Sequence, residues 1–234
     1  MKKNQKSPMR LIVILTIIVV FLVGALIVIN QQFKNNQQTF DDKQLTENQS
    51  QPLIGKKDAA VKIIEFGDYK CPPCKEWSKT IFPKLKKDYI DKGKANFSYI
   101  NLVNKQHGLG SELSALASEQ VWKEDPDSFL AFHEALYHAQ PDGDDMKTEW
   151  ATPAKLAEIV EAKTKIKGDK LIKSLKDKTY SKQVAADESI IVKNNVDSTP
   201  TIVINGVKMK EPFNYDQLKE TIDKELKGKK ADEK

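Results

Sequence analysis

The chain opens with an uncharged apolar run, residues 11–29, whose 19 positions at about 1.5 Å each nearly match a hydrocarbon core of roughly 30 Å. Lys2, Lys3, Lys6 and Arg10 precede it and no acid does. The positive-inside rule therefore keeps residues 1–10 cytoplasmic and sends everything after the run outward. A cleaved signal has an apolar core of about 7–15 residues followed by small residues. Here the run is longer and closes on Leu26-Ile27-Val28-Ile29, which predicts a single-pass transmembrane signal-anchor.

Residues 30–51 are rich in Gln, Asn and Asp and read as a flexible polar linker with a reach of roughly 25 Å. Residues 52–227 then have a length suited to one domain with its own core. Within it, residues 61–66 and 95–103 read as strands. The second places Phe97, Tyr99 and Asn101 on one face and Ser98, Ile100 and Leu102 on the other. Residues 75–89 between them read as helix. From about 111 to 195 apolar residues recur at helical spacing, as in Leu113, Leu116, Ala117 and Val121, and Pro126 and Pro153 mark the first turns of new helices. Residues 201–204 and 207–209 flank Asn205-Gly206, a two-residue hairpin turn. Residues 215–227 form a last amphipathic helix with Leu218, Ile222 and Leu226 on one side, and residues 228–234 are a charged tail.

Formal net charge is +5, but four of the positive side chains precede the apolar run, leaving 34 basic against 33 acidic residues in 11–234. No basic domain remains to attract nucleic acid. The lysines alternate with acids along segments such as residues 216–229, as on a solvated helix face.

The chemistry lies in Cys71-Pro72-Pro73-Cys74, which holds the chain's only two cysteines. A C-x-x-C pair after a strand and at the first turn of a helix brings two sulfurs within bonding reach. Free N–H groups and the helix dipole favour a thiolate there. This reads as a redox dithiol, with Cys71 attacked first and Cys74, one turn deeper, resolving or released. Two other readings use the same residues. His133 and His138 complete a C-x2-C…H-x4-H string, although His133 stands far further from Cys74 than the roughly 12–15 residues of a compact zinc finger. A purely structural disulfide would close a loop too short to restrain the unfolded chain much.

The order strand, C-x-x-C helix, strand, helical block, hairpin, helix resembles thioredoxin, and the block placed before the final hairpin resembles the DsbA family. Pro52-Leu53-Ile54-Gly55, then Glu65-Phe66-Gly67-Asp68-Tyr69 ahead of Cys71-Pro72, and Ser198-Thr199-Pro200-Thr201 running on to Gly206 are similar to its membrane-anchored Gram-positive, BdbD-type branch. The resemblance covers residues 52–227. It implies an α/β, thioredoxin-like fold with a helical insertion before the final β-hairpin. It also implies an extracytoplasmic protein thiol:disulfide oxidoreductase, monomeric and without cofactor, that donates its disulfide to reduced secreted or surface proteins. A membrane DsbB-like, quinone-linked partner would reoxidise it.

By the same resemblance Thr199–Pro200 is cis beside the dithiol, Thr199 pairs with substrate peptides, and Glu65 lies buried under Cys74 to accept its proton. A lysine that often accompanies this acid is replaced here by Phe97. Pro72 and Pro73 are the redox-tuning positions. Pro73 offers Cys71 neither a ring nor a backbone N–H, yet a Cys71 pKa of about 5 would still favour the reduced form by about 2.7 kcal/mol, roughly 60 mV. Relatives include a calcium-binding member, but the chain has no D-x-D-x-D-G loop and no metal is assigned. His107, His133 and His138 read as surface or packing residues, and Trp77 as either a shield over the disulfide or core. Within the same chemistry the alternative is a membrane-tethered reductase or isomerase kept reduced by a transmembrane electron carrier. In another class it is a peptide-binding holdase.

Overall fold

The computed structural model describes residues 14–25, 40, 51–143, 146 and 148–232, with side chains to residue 228. The chain divides into two units, Met1–Thr39 and Phe40–Lys234. In the first, residues 14–25 are helical and Ile14, Leu15, Ile17, Phe21 and Leu22 are exposed. The rest of the expected anchor lies outside the described residues. Among the described residues no helix is long and apolar enough to cross a membrane.

The second unit is built on a five-stranded sheet of β1 (Leu53–Gly55), β2 (Val61–Gly67), β3 (Ala95–Asn101), β4 (Thr201–Ile204) and β5 (Val207–Lys208). Their order is β1-β3-β2-β4-β5. The central pair β2 and β3 is parallel and the other pairings are antiparallel. Alternation sorts β3 as the pattern predicts. Phe97 and Tyr99 join the larger core, while Ile100 and Leu102 join the smaller one on the opposite face with Ile64, Phe66 and Val203. Asn205 at φ 44° and Gly206 at φ 80° are both left-handed, as a two-residue hairpin turn matched to strand twist requires.

The segment expected as one helix over 75–89 is α1 (Pro72–Thr80), a single turn α2 (Phe82–Leu85) and a wider turn Lys86–Ile90. Pro83 lacks the N–H that would continue α1, so the helix breaks at Ile81. The insertion begins with a short turn, Lys105–His107, followed by α3 (Leu109–Glu124), α4 (Phe129–Ala139), α5 (Pro153–Lys163), α6 (Gly168–Lys176) and α7 (Ser181–Lys193). Pro153 opens α5 as expected, with the Thr152 hydroxyl accepting from Lys155 N–H at 3.2 Å. α8 (Tyr215–Asp232) closes the chain.

The larger core lies between one sheet face and the apolar sides of α1, α3–α6 and α8. Ile190 and Ile191 of α7 cover the other face together with Phe40. That residue and Gln51 fall within the expected linker, residues 30–51, the rest of which lies outside the described residues. Phe40 donates its N–H to Gly206 O at 2.7 Å and packs its ring, tilted, 5.8 Å from that of Phe66, because the sheet's second face would otherwise expose apolar surface. Gln51 Nε2 donates to buried Asp187 at 2.5 Å.

Candidate active site

β2 delivers the dithiol to the end of the sheet. Asp68 O accepts from Cys71 N–H at 2.9 Å, turning the chain out of β2, and Cys71 becomes the N-cap of α1 in an extended conformation. Prolines at the next two positions suit a helix start, where N–H groups have no intrahelical partner. They also remove two of the donors that would otherwise face the Cys71 sulfur. The first backbone donor left is Cys74 N–H, and it does act on Cys71. Both cysteines are free thiols, Cys71 4% and Cys74 0% exposed.

The cis Thr199–Pro200 peptide closes over this turn from the end of α7. Thr199 Oγ1 donates to Cys71 Sγ at 3.1 Å, and Cys71 Sγ donates to Thr199 O at 3.5 Å. The Cys74 thiol's hydrogen bond lowers the Cys71 pKa most. The Thr199 hydroxyl and the Cys74 N–H add to it, burial and the Asp68 charge oppose, and the result is about 7. Cys71 thus lies well above the value of about 5 considered from the sequence.

Cys74 and Glu65 share the opposite environment. Glu65 points from β2 into the larger core, fully buried, with neither carboxyl oxygen hydrogen-bonded. Burial, and then the Cys71 charge, raise its pKa well above the carboxylate range. Burial, then Cys71, then Glu65 raise the Cys74 thiol likewise. Both surroundings favour the protonated form over the charged one. Phe97 supplies no cation, being packed against Phe82 at 4.7 Å and Trp77 at 6.2 Å. Trp77 is core, fully buried, its indole N–H donating to Pro212 O at 2.9 Å.

Two buried lysines flank the dithiol and grip the loop after α4. Lys70 Nζ donates to Thr148 O at 2.9 Å, and Lys75 Nζ to Gln140 O and Asp142 at 2.5 and 2.6 Å. Gln140 Nε2 returns a bond to Lys70 O at 2.8 Å. The helical insertion is thereby fastened to both sides of Cys71.

The histidines divide. His138 is exposed. His133 is enclosed by Tyr69, Tyr99, Phe129 and Tyr137, its Nδ1 lies 2.9 Å from Tyr69 O–H, and burial takes its pKa down to about 3. It is committed to packing rather than to the sulfurs, and among the described residues no group of three or more His, Cys, Asp or Glu could hold a metal ion. His107 is buried against Asp68, with Nδ1 2.7 Å from Oδ2.

A second buried polar set escaped the sequence pattern. Asn101 Nδ2 donates to Glu119 and Asp187 at 3.0 and 2.9 Å, and Gln51 meets the same aspartate. Gln51 Oε1 and Asn101 Oδ1 have no hydrogen-bond partner. Burial and then the Asp187 charge push Glu119 up to about 8. Two carboxylates and two amide oxygens are hard donors of the kind calcium takes, so Gln51, Asn101, Glu119 and Asp187 fit such an ion. A bound ion would tie the entry to β1 to α7 and the end of β3. The residues come from four separate elements, which no contiguous loop motif describes.

Comparison with known proteins agrees with this geometry. A family model described as Thioredoxin matches residues 47–224. Disulfide bond formation protein D of Bacillus subtilis (strain 168) is 51% identical over 179 residues, 76% of this chain and 78% of that protein. Probable disulfide bond formation protein D of Bacillus anthracis is 35% identical over 228 residues, 96% and 99% of the two chains. Among solved structures, oxidised BdbD from Bacillus subtilis superimposes with a TM-score of 0.73 at 50% identity, over 76% of this chain and 94% of that one. Chlamydia trachomatis DsbA shares the fold, with a TM-score of 0.63 at 23% identity over 74% of this chain and 90% of that one.

Proposed function

This chain belongs to the thioredoxin family, in its DsbA-like, BdbD-type branch, and we propose that it donates the Cys71–Cys74 disulfide to secreted and surface proteins from an extracytoplasmic, membrane-tethered position. The activity is that of a protein thiol:disulfide oxidoreductase that introduces disulfides into proteins. The observation that carries the assignment of roles is the contrast between the two sulfurs. Cys71 is held by Thr199 and ionises near neutrality, while Cys74 is sealed beside Glu65 and stays protonated.

A substrate thiolate attacks Cys71 Sγ, the Cys71–Cys74 bond breaks, and Cys74 leaves into surroundings that disfavour a thiolate. Glu65, protonated for the same reason, gives it a proton. A second substrate thiolate then attacks the mixed disulfide, and Cys71 leaves as a thiolate stabilised by the Thr199 hydroxyl and the Cys74 N–H. The substrate gains a disulfide and the enzyme is left reduced. In reoxidation, by a membrane DsbB-like, quinone-linked partner, Cys74 returns its proton to Glu65 as it attacks. Thr199 and Pro200 border the surface on which the substrate strand lies.

One observation favours the reductase alternative. With Cys71 at about 7, ionisation at pH 7 favours the reduced form by only about 0.4 kcal/mol, roughly 9 mV. The hydrogen bonds to the Cys71 sulfur are already counted in that value, so any further oxidising character must come from contacts that favour the reduced pair whatever its charge. Equilibration with a glutathione buffer decides the matter. The expected potential is less reducing than the roughly −270 mV of thioredoxin, and a value at or below that figure moves the assignment to a reductase.

The tether rests on the length of the apolar run and the basic residues before it. The mature protein is expected in the membrane fraction and to be shaved by external protease. A soluble product starting near residue 30 overturns that position.

A further inference from the structure

The Pro72-Pro73 pair places no ionisable side chain between the cysteines, so any charge that tunes Cys71 has to come from outside the motif. Asp68 is the acid nearest Cys71 along the sequence. It is 3% exposed, and its Oδ1 accepts from Lys70 N–H at 2.8 Å. Its Oδ2 meets Ser111 Oγ at 2.8 Å, His107 Nδ1 at 2.7 Å and Asn104 N–H at 3.3 Å. A buried anion this close to Cys71 works against a thiolate there, and Asp68 does raise the Cys71 pKa.

His107, 6% exposed, is the group able to cancel that anion. Its Nδ1–H donates to Asp68, while Nε2 lies 3.3 Å from Asn104 Nδ2, whose amide oxygen is taken by Gln106 N–H at 2.9 Å. Neutral His107 accepts from that amide, whereas protonated His107 opposes a donor to it. The contact at Nε2 therefore favours the neutral form and the contact at Nδ1 the charged one. Asp68 raises the His107 pKa most, burial opposes, and a charged Cys71 raises it again.

We propose that Asp68 and His107 form a positioning pair whose proton sets how oxidising the Cys71–Cys74 disulfide is. Protonated, the pair is neutral and favours the Cys71 thiolate; deprotonated, it leaves the Asp68 charge against that thiolate. The inference rests on the oxidoreductase reading and deepens it. Two substrate thiols supply two electrons and two protons. The electrons break the Cys71–Cys74 bond as the substrate disulfide forms. Cys74 takes the Glu65 proton, one substrate proton ends on His107 while Cys71 remains a thiolate, and the other goes to solvent.

The other charges around the pair are fixed by different contacts. Lys70, held by Thr148 and 4.0 Å from Glu149, opposes protonation of His107. Glu149 lies against Gly108, the residue after His107. Glu65 acts on Cys74, and burial favours its protonated form.

The test titrates Cys71 by thiolate absorbance and equilibrates the protein with glutathione across pH, in the wild type, His107→Gln, Asp68→Asn and the double variant. Glutamine keeps a donor for Asp68 but cannot carry charge, so the turn's hydrogen bonding survives. In His107→Gln the Cys71 midpoint is expected to rise by roughly one unit, which lowers its thiolate fraction at pH 7 about fivefold and shifts the glutathione equilibrium about twofold toward the protein disulfide. Asp68→Asn moves Cys71 the other way, and adding His107→Gln to it changes nothing further. Should Asp68→Asn unfold, His107→Gln alone still decides, because the pair requires its Cys71 midpoint to rise. A folded His107→Gln protein with the wild-type Cys71 titration and the wild-type pH dependence overturns the pair. Failure of the wild type to oxidise thiols would sink the oxidoreductase reading instead, and the Cys71 titration would still report on the pair.

Discussion

Cys71→Ser is expected to abolish disulfide transfer to a reduced substrate, whereas Cys74→Ser is expected to accumulate mixed disulfides. The difference follows from where the two sulfurs sit. Cys71 alone is hydrogen-bonded to Thr199 at the cis-proline turn and ionises near neutrality, so it is the sulfur a substrate reaches and leaves. Cys74 is fully buried and held neutral, and its role begins only once Cys71 is joined to something else. Without Cys74 a mixed disulfide at Cys71 has no internal thiol to release it. Mass spectrometry of adducts and recovery of activity in a refolding substrate check both halves. Transfer by Cys71→Ser at the wild-type rate would overturn the dithiol mechanism and favour a holdase.

The parts of this molecule legible in the sequence are those set by short-range pattern. The faces of β3, the Asn205-Gly206 turn and the Pro153 helix start each follow from residues within a few positions of one another. The dithiol is of the same kind, since its spacing and the helix start are local. β1 was not legible, because Leu53–Gly55 is three residues of an edge strand specified by pairing with β3. Asp187 was not legible either: it is fully buried on partners Gln51 and Asn101 that lie 136 and 86 positions away. His107 reads in the sequence as a surface or packing residue. Its partner Asp68 stood inside the recognised motif, and an unassigned buried acid next to the dithiol was the signal that could have drawn attention to it.

Glu65 should reveal itself through opposite effects on rate and stability. A buried carboxyl with both oxygens unpartnered costs about 1–3 kcal/mol relative to an apolar side chain of similar shape, so Glu65→Leu is expected to be more stable than the wild type. The gain should grow with pH. The folded pKa of Glu65 is raised above its unfolded value of about 4.3. The native state therefore binds the proton more tightly, and stability is lost as pH rises from the unfolded value through the folded one. Leucine removes that loss, so the advantage is smallest near pH 4 and larger at pH 8. Both Glu65→Leu and Glu65→Gln take away the proton that neutralises departing Cys74, and single-turnover transfer should slow by about a hundredfold, within the range of general acid catalysis. Substrate pairing at Thr199 should be unaffected, so the loss falls on the chemical step and not on binding. Wild-type turnover in Glu65→Leu, or denaturant unfolding that shows no greater stability at pH 8 than at pH 4 relative to the wild type, would remove the carboxyl from the mechanism and leave the Cys74 proton to solvent.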